Sequence, residues 1–202
     1  MRSKARAAAG PRAAALASAL ARRLERINEA VGRAAAWLLV AMLGVQFVTV
    51  LLRYVFSVSH AALSESVWYL HGLLFTLAAG YALKHDAHVR IDVFYAKATA
   101  RQKAWIDLAG SLFFLLPVCL LTLWLSSSYV INSWRVLEGS IERSGLPLVF
   151  ALKTAIWAYA GLLAVQGFAQ MLHAVTHLAF SGSLPPLQPG ESRSGIPSPR
   201  RP

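Results

Sequence analysis

Residues 105–131 read WIDLAGSLFFLLPVCLLTLWLSSSYVI, an apolar stretch whose one charge, Asp107, stands near its start. About 20 apolar residues are enough to carry a helix across the roughly 30 Å hydrocarbon core of a bilayer, and this run exceeds that length. Pro117, near its middle, removes one backbone donor and is expected to kink the helix. Working outward, residues 34–56, 62–83 and 148–175 meet the same criterion. The fold class expected is therefore an all-α membrane protein of four transmembrane helices with amphipathic interfacial segments.

Composition agrees with this reading. The chain of 202 residues is 56% hydrophobic and only 14% charged, too apolar for an ordinary water-soluble domain. Its net charge of +11 invites a nucleic-acid reading. The basic residues, however, cluster between the apolar runs, while the aromatic residues lie inside those runs, so nucleic acid is not an expected partner. The single cysteine, Cys119, permits neither an internal disulfide nor a cysteine metal cluster and is assigned to packing.

Three segments follow from the pattern: a basic tail with an amphipathic helix over 1–33, a membrane domain over 34–178, and a Pro-, Ser- and Arg-rich tail over 179–202 that reads as disordered. Leu16, Leu20, Leu24, Ile27 and Val31 recur at helical spacing, with Arg22, Arg23, Arg26 and Arg33 on other faces, as in a helix resting on anionic lipid. No short apolar run with a cleavage site precedes the first span, so no cleaved signal peptide is expected. After the second span, Thr99 and Gln102 form a capping-box pattern that predicts a helix start near Ala100. Ser144 and Gly145 read as a turn, and Pro147 as a first-turn residue of the fourth helix.

Sixteen Lys and Arg residues fall in the N-terminal segment, the connection between spans two and three, and the tail, against four on the opposite side: Arg53, Arg135, Arg143 and Lys153. That bias places both termini in the cytoplasm. Trp37, Tyr54, Trp68, Trp105, Tyr129 and Trp134 lie near span ends, where amphipathic rings favour the headgroup region; Trp124 and Trp157 lie deeper and read as packing residues.

A carrier that encloses its own solute path usually shows repeats, broken helices and midplane polar groups. Here the mid-span polar residues are Gln46, Thr49, His71, Thr76, Thr122 and Gln166, too few for such a path. Gly72, Ala78, Ala79, Gly80, Ala158, Gly161, Ala164 and Gly167 permit close helix approach. Ionisable residues near spans are costly and mark candidate sites. Arg53, Glu65 and Lys153 either share an ion-pair cluster at one membrane level or reach separately to the interface. Asp107 pairs either with Lys103, four residues earlier, or with Arg90 of the preceding connection.

The histidines raise the alternative of a haem-binding electron-transfer subunit, but His71 and His173 differ in depth by roughly 18 Å along a helix axis and cannot flank one iron. His173 and His177 have metal-pair spacing without a third ligand in sequence, and read as interfacial structural residues. No catalytic constellation and no cofactor is expected. A free-standing small carrier or channel remains the other alternative.

His88-Val89-Arg90-Ile91-Asp92-Val93-Phe94-Tyr95 resembles the small permease subunits, DctQ-type, of tripartite ATP-independent periplasmic (TRAP) transporters. Arg53-Tyr54-Val55-Phe56, Ser64-Glu65-Ser66-Val67-Trp68-Tyr69-Leu70-His71, Ser133-Trp134, Glu138-Gly139-Ser140, Gly145-Leu146-Pro147 and Gln166-Gly167 follow the same family pattern in order, over residues 24–178. The resemblance implies a bacterial inner-membrane protein with two partners, a large permease subunit that moves solute and a periplasmic substrate-binding protein that delivers it, besides membrane lipid. It further implies secondary active symport driven by an ion gradient. The motif wording is similar to the branch for mannitol, chloroaromatic or 2-oxo acid uptake, so an organic acid is the expected solute. Arg135, Glu138, Glu142 and Arg143 are the candidate docking residues for the binding protein, and Arg90 and Asp92 candidate loop-positioning residues.

Overall fold

The structure is a computed structural model that describes residues 2–87 and 98–180. Its elements are α1 (Arg2–Val55), α2 (Ala61–Lys84), α3 (Ala100–Gly110), a π-helical turn (Ser111–Leu115), α4 (Leu116–Arg135) and α5 (Val149–Phe180). Among the described residues, four helical stretches are long and apolar enough to cross a membrane: Ala13–Val55, Ala61–Lys84, Ala100–Arg135 and Val149–Ala179. Helices suit that setting because each satisfies its backbone polar groups within one segment, where no water is available to do so.

α1 runs unbroken for 54 residues, about 80 Å at 1.5 Å per residue, through the point near residue 33 where the charge pattern changes. Among the described residues, its buried face consists of Ala21, Asn28, Gly32 and Ala35. Leu16, Leu20 and Ile27 of the apolar stripe point outward. Small residues thus set the contacts of this half of α1, leaving the larger aliphatic side chains available to lipid.

α5 is the centre of the arrangement: α1, α2, α3, the π turn and α4 all pack on it. Ala79 from α2, Cys119 from α4 and Ala160 and Leu163 from α5 form a shared core, flanked by Leu83, Leu115, Leu123, Tyr159 and Ala164. Backbones come close where side chains vanish. A Cβ on Gly80 would strike Asn28 of α1, and one on Gly167 would strike Leu115, whereas one on Gly161 would meet nothing. Gly80 and Gly167 are therefore close-approach positions and Gly161 is not.

The capping box predicted at Thr99 and Gln102 is present and starts α3 at Ala100. Pro117 is preceded by the π turn, in which the Leu116 amide bonds the Ser111 carbonyl five residues back. A π turn is one way for a helix to accommodate the missing proline donor and its ring. Pro147 lies two residues before Val149, outside the helix that it was expected to begin, while Leu148 accepts the first backbone bonds, from Ala151 and Leu152. Trp124 is 73% exposed and is not a packing residue of the isolated chain; lipid tails are as good a solvent for its ring as a core would be.

Candidate functional site at the ends of the bundle

At one end, the connection between α4 and α5 is folded tightly and fastened to two helices. α4 ends in a Schellman motif: the Glu138 amide donates to the Ser133 carbonyl at 3.0 Å and the Leu137 amide to Trp134 at 3.3 Å. Leu137 takes the left-handed position, with φ 45°, that glycine ordinarily fills. The carboxylate of Glu65, on α2, accepts the Ser140 hydroxyl and, at 2.7 Å, the Leu146 amide. A Cβ on Gly145 would collide with Ser140 and Glu65, so the turn needs glycine there. Lys153, on α5, donates to Glu138 and lies 3.9 Å from the centre of the Tyr129 ring. The ammonium of Lys153 holds the Glu138 carboxyl below the usual carboxylate range. Trp134 adds a bond from its indole nitrogen to Thr154 Oγ1 at 2.8 Å and an edge contact with Phe150.

Glu65 and Lys153 therefore take different partners, and Arg53 makes no ion pair among the described residues. Of the four expected docking residues, Glu138 is turned inward to Lys153. Arg135 sits at the end of α4 beside Asn132, and Glu142 and Arg143 are exposed on the loop. Beside them Val136, Leu137 and Ile141 are exposed as well.

The other end is fastened by residues of α1. Asn28 donates to Gln166 Oε1 at 3.1 Å and to the Leu162 carbonyl at 3.3 Å, a buried bond between α1 and α5. The next residue, Glu29, pairs with Lys84 at 2.5 Å and with His85 at 3.1 Å, tying α1 to the end of α2. Glu25 reaches His173 of α5 at 2.9 Å. A polar recess lies alongside, lined in part by Glu25, Lys84, Asp107, Gln166, His173 and His177. Asp107 thus shares this recess with Glu25 of α1 and with His173 and His177 near the end of α5. Arg90 and Asp92 lie outside the described residues. Among the described residues, no three metal-capable side chains converge.

Sequence reasoning missed Asn28, Glu25 and Glu29, because residues 1–33 were read as a surface helix. A signal was present: Glu25 and Glu29 are the acidic residues of the first 60, four apart, with Asn28 on the same side.

These features define a class: a multi-pass membrane protein whose polar side chains fasten helix to helix and loop to helix. The family model described as tripartite ATP-independent periplasmic transporters, DctQ component, matches residues 42–178, and the chain belongs to that family. It is a small membrane permease subunit of a TRAP transporter, located in the inner membrane. No curated protein and no solved structure gives a significant match. The family match begins inside α1, so Asn28, Glu25 and Glu29 stand before it.

Proposed function

We propose that this chain is the scaffold of its transporter: it holds the large permease subunit in the membrane and offers the α4–α5 loop to the periplasmic binding protein. The transport it serves is ion-gradient-driven uptake of an organic acid. Both termini lie in the cytoplasm and the α1–α2 and α4–α5 loops in the periplasm, in keeping with the charge bias. The observation that carries the reading is the loop itself. It is fixed from below by Glu65 and Lys153 while Arg135, Ile141, Glu142 and Arg143 remain on its outer side. A rigid loop that shows both charge signs around an apolar centre suits a soluble partner that must dock and leave, since rim charges steer encounter more than they add affinity. Arg90 and Asp92 position the connection between α2 and α3, and alanine at both should lower complex yield and thermal stability.

The test is uptake by cells carrying Arg135→Glu, Glu142→Lys and Arg143→Glu together, with recovery of the large subunit on an affinity-tagged small subunit measured in parallel. Uptake should fall while recovery holds. Unchanged uptake removes the docking role, and failure of the unaltered chain to recover the large subunit removes the scaffold role.

A further inference from the structure

The six mid-span polar residues sort into two groups. Thr49 donates to Val45 O, Thr76 to Gly72 O and Thr122 to Val118 O, each at 2.7 to 2.8 Å, so the threonines are satisfied by their own helices. Gln166 is buried and accepts from Asn28. Gln46 and His71 remain. Both are exposed, neither makes a hydrogen bond among the described residues, and both line one groove between α1 and α2 with Met42, Leu43, Val67 and Trp68. Gln46 lies near the middle of the apolar run 34–56 and His71 near the middle of α2 (Ala61–Lys84), so the groove sits at mid-membrane depth.

Hydrocarbon offers these two groups nothing to bond, and an unsatisfied amide or imidazole at that depth is costly. The outer face of the π turn and α4 provides the contrast. Phe113, Phe114, Val118, Leu121, Trp124 and Leu125 are exposed there, and its threonine is already bonded. One face of the bundle is thus finished for lipid, and the other awaits hydrogen-bonding groups from protein.

We propose that the α1–α2 groove receives a transmembrane helix of the large permease subunit that presents a hydrogen-bonding side chain to Gln46 and His71. The inference rests on the scaffold reading above and deepens it by naming the face. Membership in a tripartite transporter family implies a large permease subunit as the membrane partner. Interhelical hydrogen bonds and close packing drive association where no hydrophobic effect acts between helices.

The experiment places the photoreactive residue p-benzoylphenylalanine at Leu43, at Trp68, or at Trp124 in the small subunit co-expressed with the large one. The complex is irradiated in membranes, and recovery of the unirradiated complex is recorded first. Adducts between the two subunits from positions 43 and 68, and none from 124, are expected. Three outcomes overturn the proposal while recovery of the complex holds: adducts to the large subunit from 124 alone, small-subunit dimers from the groove positions, or no protein adduct from the groove. Loss of recovery in the unaltered chain refutes the scaffold reading instead. As a second measurement, Gln46→Leu with His71→Leu should weaken association on the order of fivefold to tenfold, as two interhelical hydrogen bonds in a membrane would. The melting temperature of the isolated small subunit should not change. Equal association overturns the proposed bonds.

Discussion

Glu65, on α2, grips the main chain of Leu146 in the loop between α4 and α5, with its carboxylate 2.7 Å from the Leu146 amide. The same side chain holds the Ser140 hydroxyl, so one residue secures both limbs of the loop. Glu65→Ala should lower the stability of the purified subunit by roughly 3 kcal/mol, the loss of two hydrogen bonds to a charged acceptor. Glu65→Gln keeps an acceptor oxygen and should cost less. Thermal unfolding in detergent reads both variants, and equal midpoints for the two would show that the charge and the acceptor are immaterial.

Acid should release the second fastening. Because the Lys153 ammonium depresses the Glu138 carboxyl, the pair's contribution is complete above the ordinary glutamate value of 4.5 and is lost as the pH falls through the lower, folded-state value. Between about pH 7 and about pH 3 the melting temperature should fall less steeply in Glu138→Gln than in the unaltered chain. Trp134, whose ring lies at the same junction, provides the fluorescence signal. Parallel curves for the two proteins would remove Glu138 as the titrating group.

Gly80 and Asn28 make a paired test of helix approach. Gly80→Ala places a methyl group into the Asn28 side chain and near the Leu162 carbonyl, and should destabilise by about 1–3 kcal/mol as an overpacked contact. With Asn28→Ala already present, most of that penalty should vanish, because the colliding amide is gone. A double-mutant cycle on thermal midpoints measures the coupling, and additive penalties would mean that the two backbones do not meet as described.

Leu137 occupies a left-handed conformation that costs an L side chain about 1–2 kcal/mol, while glycine gives back roughly 0.5–1 kcal/mol through its freer unfolded chain. Leu137→Gly should therefore raise stability by up to about 1 kcal/mol. The side chain is exposed, so little packing is forfeited. If uptake declines in this more stable variant, the Leu137 side chain is a contact for the binding protein; if stability declines, the strain argument fails.

Much of the fold was legible because the bilayer dictates it. Apolar length alone located the spans, and Thr99 with Gln102 gave the start of α3 to the residue. What escaped was tertiary pairing. Lys153 and Glu138 are 15 residues apart, and turn chemistry at Ser144 and Gly145 hints at their meeting. Glu65 and Leu146 are 81 apart, and Glu25 and His173 are 148 apart, with no local pattern joining them. Trp124 was misread for a different reason: depth in a span was equated with burial, which holds in water and not in lipid. Arg53 shows the converse, since sharing a membrane level with Glu65 and Lys153 did not make it their partner.

The position of α5 has a consequence for how the protein is made. A chain emerges from its N-terminus during synthesis, so α1 and α2 can pair early, and α3 and α4 can enter the membrane before their main packing surface exists. The residues that complete the core, Ala160 and Leu163, and those that receive Asn28 and Glu25, Gln166 and His173, all arrive with the last helix. A ribosome that stalls before α5 leaves a product with spans and no bundle, in which Asn28 and Glu25 on α1 lack the groups that receive them.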